Sequence, residues 1–148
     1  MRTDDVIVLL NDLIQLDVDA AEAYGQAIKH MEYHDIRRRL TDFQDDHRNH
    51  VRDLTAMVRQ LNGNALKPTP DLKGYLLEVF TAIRSISSAK GALEAMRGNE
   101  KLTNRKYQEA AALDLPEEVM TLIKTNLSQE IRHLMYIEEV LTIPRHEL

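Results

Sequence analysis

Apolar residues recur along this chain in alternating steps of three and four, the spacing that lines one face of an α-helix and not the alternation expected of a strand. Four long segments carry it. The first seam reads Val6, Leu10, Leu13, Asp17, Ala20, Tyr24, Ala27, Met31, and it predicts a helix to about residue 31 with Thr3 as N-cap. Asp4 and Asp5 would sit at the positive end of its dipole. A turn is expected at Glu32-Tyr33, with Asp35 as a cap. The second seam reads Ile36, Leu40, Phe43, His47, His50, Leu54, Met57, Leu61 and stops at Asn62-Gly63-Asn64, a C-terminal signal. From Asp71 to about Ile86 a further stripe, Leu72, Leu76, Val79, Phe80 and Ile83, predicts a helix in a long crossover. After Ser87-Ser88, a capping pair, the third seam reads Leu93, Met96, Glu100, Thr103, Tyr107, Ala110. Pro116 belongs to the first turn of the last helix, where its missing N–H costs nothing. That helix has the seam Val119, Ile123, Asn126, Glu130, His133, Ile137, Val140 and is expected to end at Pro144.

Polar residues interrupt the seams where Leu, Ile or Val would be expected, and they repeat. Positions 17 and 100, 24 and 107, 47 and 130, and 50 and 133 are each 83 residues apart. The repeat yields a carboxylate followed by a tyrosine seven residues later, then His47-x-x-His50 in one half and Glu130-x-x-His133 in the other. A spacing of three places both members of each pair on one helix face. A carboxylate left dry and unpaired there would cost on the order of several kcal/mol, so the cluster needs compensation. Bound cations would supply it, and so would a closed network of hydrogen bonds and ion pairs. Helix pairs with this pattern are how four-helix bundles build dinuclear metal sites. The candidate metal ligands are Asp17, His47, His50, Glu100, Glu130 and His133. Tyr24 and Tyr107 share the carboxylates' face and could hydrogen-bond them, carry an electron or simply pack. Asp46 would replace His47 if the register were one residue off, and Asn126 could support a ligand from behind. Asp45, His30, His34 and His146 read as solvated surface.

Composition narrows the chemistry. The 148 residues suit one domain, 1–148, with a helix pair at about 4–61, a crossover at about 62–87 and a second pair at about 88–143. Few glycines, prolines and aromatics favour an all-α chain. The chain has no cysteine, which removes disulfides, thiolate zinc sites and iron–sulfur clusters and leaves oxygen and imidazole as ligands. A net charge of −5 argues against a nucleic-acid partner, and Arg37-Arg38-Arg39 reads as a solvated helix face. No apolar run approaches about 20 residues and the first residues are acidic, so no membrane span is expected and the chain reads as cytoplasmic.

At these residues the chain resembles the ferritin-like superfamily, the group of rubrerythrin and bacterioferritin, over essentially its whole length. The second half, from Glu100 through Tyr107, Leu113-Asp114-Leu115-Pro116 and Glu130-x-x-His133, is most similar to small bacterial ferritin-like proteins of a domain of unknown function. The resemblance implies a four-helix bundle of two duplicated helix pairs with a short helix in the crossover. It also implies terminal carboxylates at Asp17 and Glu100, a bridging pair at His47 and Glu130, and imidazole ligands at His50 and His133. Dinuclear iron would be the cofactor, with zinc or manganese as alternatives. The superfamily's usual residues at the first two helix positions are glutamates, where this chain has Asp17 and His47. Three carboxylates and three neutral imidazoles around two divalent ions leave a charge of +1, which disfavours oxidation of both ions or favours zinc or single occupancy. The implied activity is oxidase or peroxidase-like redox chemistry with an external reductant. The other reading is a metal-free, degenerate ferritin-like structural or stress-associated binding protein. The crossover stripe of Leu76, Val79, Phe80 and Ile83 could cap the bundle or form the surface of a homodimer, which is compatible with either reading, and mineral storage in a cage is not expected.

Overall fold

The computed structural model describes residues 1–71 and 77–143. Among them are five helices and no strand: α1 (Thr3–Lys29), α2 (His34–Gln60), α3 (Leu77–Arg84), α4 (Ala89–Ala111) and α5 (Glu117–Thr142). The four long helices form a bundle, in which α1 packs along α2, α4 packs along α5, and the pairs meet through α1–α4 and α2–α5. The short α3 lies against α4 and α1. Leu72, Leu76, Pro144 and His146 lie outside the described residues.

Side-chain pairs fix the directions. Tyr24 meets Glu100 while Asp17 meets Tyr107, so α1 and α4 run antiparallel. Asp46 meets His133 while His50 meets Gln129, so α2 and α5 do too. Since α1 and α2 are joined by a short turn and are themselves antiparallel, α2 and α4 point the same way. The link between them has to return along the bundle, which explains its length. Its first part is strapped to a flank of α1 by three side chains spaced one helical turn apart. Asn11 donates to the Asn64 carbonyl and accepts from the Leu66 N–H, Gln15 donates to the Thr69 carbonyl, and Asp19 accepts from the Asp71 N–H at 2.6 Å.

The helix ends follow local chemistry, with departures from expectation at three N-termini. Thr3 is already helical and Arg2 holds the N-cap position, without a side-chain cap, while Asp4 and Asp5 supply the dipole interaction instead. Tyr33, not Asp35, holds the cap position of α2, and Asp35 lies in its first turn. Pro116 is the cap residue of α5, one position before the first turn. At the end of α2 the left-handed residue is Asn62 (φ 61°), while Gly63 keeps negative φ. The Asn62 and Gly63 N–H groups bond back to the Arg59 and Val58 carbonyls, a Schellman closure. Gly63 is needed for space, because a Cβ there would come within 2.8 Å of the Ile7 side chain. The Ser88 cap is as expected, its Oγ accepting the Gly91 N–H at 3.0 Å.

The apolar core is in two pieces. One end of the bundle holds Tyr24, Met31, Ile36, Leu40, Phe43, Leu93, Met96, Ile137 and Val140 together with Val79 and Ile83 of the crossover helix. The other holds Val6, Leu10, Leu13, Ile14, Leu54, Val58, Tyr107, Val119 and Ile123. Val58 takes the core position expected of Met57 and Leu61, which pack only at its edge. Burial of each such Leu or Ile contributes about 1.5–3 kcal/mol. Between the two pieces lies a polar layer.

Candidate metal centre

The layer is formed where all four seams place polar side chains at one level. Asp17, His47, His50, Glu100, Glu130 and His133 are each at most 1% exposed. They fall into two groups of four, Asp17–His47–His50–Glu130 and His47–Glu100–Glu130–His133, and within each group one donor atom per residue lies within 4.8 Å of the others. His47 and Glu130 belong to both. His47 turns Nδ1 to Asp17 Oδ1 (2.7 Å) and Nε2 to Glu100 Oε1 (3.1 Å). Glu130 puts Oε1 3.2 Å from His50 Nδ1 and Oε2 3.6 Å from His133 Nδ1. His50 Nδ1 also lies 3.1 Å from Asp17 Oδ1, and His133 Nδ1 lies 3.1 Å from Glu100 Oε1. Asp17 Oδ1 thus meets two imidazoles of the cluster.

Hydrogen bonds to the carboxylates cross between the halves. Tyr24 on α1 donates to Glu100 Oε1 on α4 (2.5 Å), and Tyr107 on α4 donates to Asp17 Oδ2 on α1 (2.6 Å). Asn126 donates in turn to the Tyr107 hydroxyl at 3.3 Å. Thr103 Oγ1 lies 3.0 Å from Glu100 Oε2 and 3.1 Å from Glu130 Oε2, and so ties the two glutamates together.

Burial without compensation would neutralise every group in the layer, and the partners decide otherwise. For Asp17, desolvation is outweighed by hydrogen bonds and charge from His47 and His50, which hold its carboxyl below the ordinary 3.8. Glu100 is likewise held well below its ordinary value, against desolvation, by His133 and His47. Burial opposes charge on the imidazoles too, but carboxylates raise all three: His47 well above 6.5, His50 to about 9 and His133 to about 10. Glu130 behaves differently. Desolvation and the neighbouring Glu100 charge raise its pKa despite the histidines, and its fully buried Oε1 faces only the ring nitrogens of His50 and His47, at 3.2 and 3.4 Å. That oxygen has a lone pair available inside the cluster. Three imidazole and three carboxylate donors, with no thiolate, suit iron, manganese or zinc, and the cluster could hold a metal ion.

The sequence pattern of a domain of unknown function, DUF2383, matches residues 5–113. The chain belongs to the DUF2383 family. No curated protein matches it. Its fold is similar to the crystal structure of a conserved hypothetical protein, rv2844, from Mycobacterium tuberculosis, with a TM-score of 0.78 at 16% identity over 99% of both chains. At that identity the likeness concerns the fold alone.

In this DUF2383 chain, all six residues expected as ligands and both tyrosines converge on the layer. Asp46 does not replace His47: it lies behind His133, accepting from Nε2 at 2.8 Å with its side chain one-third exposed. Two residues behind the cluster gave no periodic signal. Gln129 Oε1 contacts His50 Nε2 at 2.5 Å, and Asn104 bonds the Glu100 and Glu130 carbonyls. Gln129 was nonetheless findable, because it stands 83 residues after Asp46. His30, His34 and Asp45 are exposed, as expected, as are Arg37, Arg38 and Arg39. Arg39 also stacks over Tyr136, 4.5 Å from the ring centre. A separate cleft of about 640 Å³ lies between α1 and α4, lined by Leu13, Leu16, Asp19, Leu102 and Arg105 among others, and none of the six layer residues lines it. None of the described helices is long and apolar enough to cross a membrane.

Proposed function

We propose that this chain is a ferritin-like protein with a dinuclear carboxylate–histidine metal centre, with iron as the metal and oxidase or peroxidase-like redox activity. The observation that carries the reading is the pair of four-residue donor groups sharing His47 and Glu130. Asp17 and His50 would complete one metal position and Glu100 and His133 the other. Glu130 has one oxygen turned toward each. A neutral His47 ring can give one nitrogen to a metal and keep the other as an N–H donor to the opposite carboxylate. Tyr24 and Tyr107 fix the outer carboxylates by hydrogen bonds. Bound iron would supply one-electron chemistry toward dioxygen or peroxide. The two apolar halves would exclude bulk water above and below, and the donor set, at +1 with two divalent ions, holds back oxidation of both.

A second reading, a metal-free structural or stress-associated binding protein, is favoured by the charge balance of the layer. Three protonated imidazoles match three carboxylates. Elemental analysis after anaerobic loading with ferrous iron separates the two. The proposal expects about two metal ions per chain, and none in a Glu100→Ala/Glu130→Ala variant. A wild-type chain that retains no metal would leave only the second reading.

A further inference from the structure

We infer that Asp46 and Gln129 make the two positions of the proposed centre unequal, so that a divalent cation fills the Glu100/His133 position before the Asp17/His50 position. This rests on the two-position reading above.

Asp46 and Gln129 are partners under the same 83-residue offset that relates the ligands. Each grips the outer nitrogen of the imidazole on the facing helix: Asp46 Oδ2 at 2.8 Å from His133 Nε2, Gln129 Oε1 at 2.5 Å from His50 Nε2. In both rings Nδ1 then faces the carboxylates of the layer. The two grips have the same geometry and different charge. A carboxylate behind a ligand imidazole makes the ring a stronger donor and adds a negative charge near the metal, whereas an amide oxygen only fixes the ring's tautomer and orientation. The preference therefore favours His133.

A second difference points the same way. Thr103 fixes the Glu100 and Glu130 carboxylates, while the residue 83 positions earlier, Ala20, has no hydrogen bond to offer. Tyr24 opposes the trend, because it donates to Glu100 Oε1, an oxygen that would ligate, whereas Tyr107 binds the other oxygen of Asp17. A neutral phenol withdraws less charge than the Asp46 carboxylate adds, so the balance stays with the Glu100/His133 position. Asp46 and Gln129 are positioning residues that act through the histidines.

The test is a cobalt(II) titration of the metal-free full chain, followed by calorimetry and by the visible bands of the bound ion. The wild type should fill in two steps. Asp17→Ala should lose the second step and keep the band pattern of the first. Asp46→Asn should weaken the first step by about 10–100-fold, the usual effect of losing such a partner, and leave the second in place. Gln129→Glu should tighten the second step and leave the first unchanged, a gain that a folding defect cannot imitate. Two equal steps in the wild type, or an Asp46→Asn variant in which both steps shift alike, would overturn the inference while the two-position reading stands. If the wild type binds no cobalt, that reading and this inference fail together.

Discussion

The two ends of the bundle and the layer between them are built on the same four helix seams, yet they depend on different forces. At the ends the seams present Leu10, Leu54 and Ile123, or Leu40, Leu93 and Ile137, all fully buried. Their stabilisation is set by apolar area and packing and is insensitive to moderate changes of pH and to metal ions. In the layer the same register presents three carboxylates and three imidazoles, equally buried. Their stabilisation is conditional on which groups are protonated or metal-bound. A helical period thus says which residues face inward without saying what holds them there.

The apolar ends respond to loss of packed volume. Leu54→Ala should cost about 2–5 kcal/mol, the range for deleting a buried leucine, by the same amount with and without metal. Denaturant unfolding measures it, and metal stoichiometry should not change. A Leu54→Ala loss that depended on metal would mean that the layer and the ends do not act separately.

The layer should respond in the opposite manner. One metal ion at a free concentration 100 times its Kd should stabilise the wild type by about 2.7 kcal/mol. Glu130→Leu should abolish that gain. Without metal the same variant should be as stable as the wild type or more so, because burial already disfavours the Glu130 charge and an apolar side chain removes that cost. Thermal or denaturant unfolding with and without zinc reads both effects, and a Glu130→Leu chain still stabilised by zinc would contradict the assignment.

The pH profile of the metal-free chain tests the layer without any ion. His50 and His133 rise from an ordinary 6.5 to about 9 and about 10 on folding. The folded chain thus holds protons that the unfolded chain releases. Their stabilisation is complete below about pH 6.5 and is lost as pH climbs through 9 and 10. On the acid side, Asp17 and Glu100 are held below their ordinary 3.8 and 4.5, so their contribution is present above those values and lost as pH falls. Denaturation midpoints at pH 6 and pH 10 should differ in the metal-free chain and converge when metal replaces the imidazole protons.

Much of this architecture is legible in the sequence because helix period and the 83-residue repeat act together. The period placed Asp17, Glu100, Glu130 and the histidines on the inner faces, and the repeat placed them at one level. What escaped lies off the seams. Asn11, Gln15 and Asp19 strap the crossover from a flank of α1, off the apolar seam. Gln129 and Asp46 flank the seams, and only the repeat could have related them. The helix caps failed for a different reason. Thr3 and Asp35 have capping side chains but fall inside the first turns of α1 and α2, while Arg2 and Tyr33 hold the cap positions without a side-chain bond to the helix end. Tyr24 and Tyr107 showed which face they occupy, but only the fold reveals that each bonds the carboxylate of the opposite half.

The most direct test of the account is anomalous X-ray diffraction from crystals of the metal-loaded chain, collected at the absorption edge of the metal. The account predicts two peaks in the polar layer, one among Asp17, His50 and Glu130 and one among Glu100, His133 and Glu130, with His47 bonded to at least one of them. Well-diffracting loaded crystals with no peak in the layer, or with metal bound only on the outer surface, would contradict it.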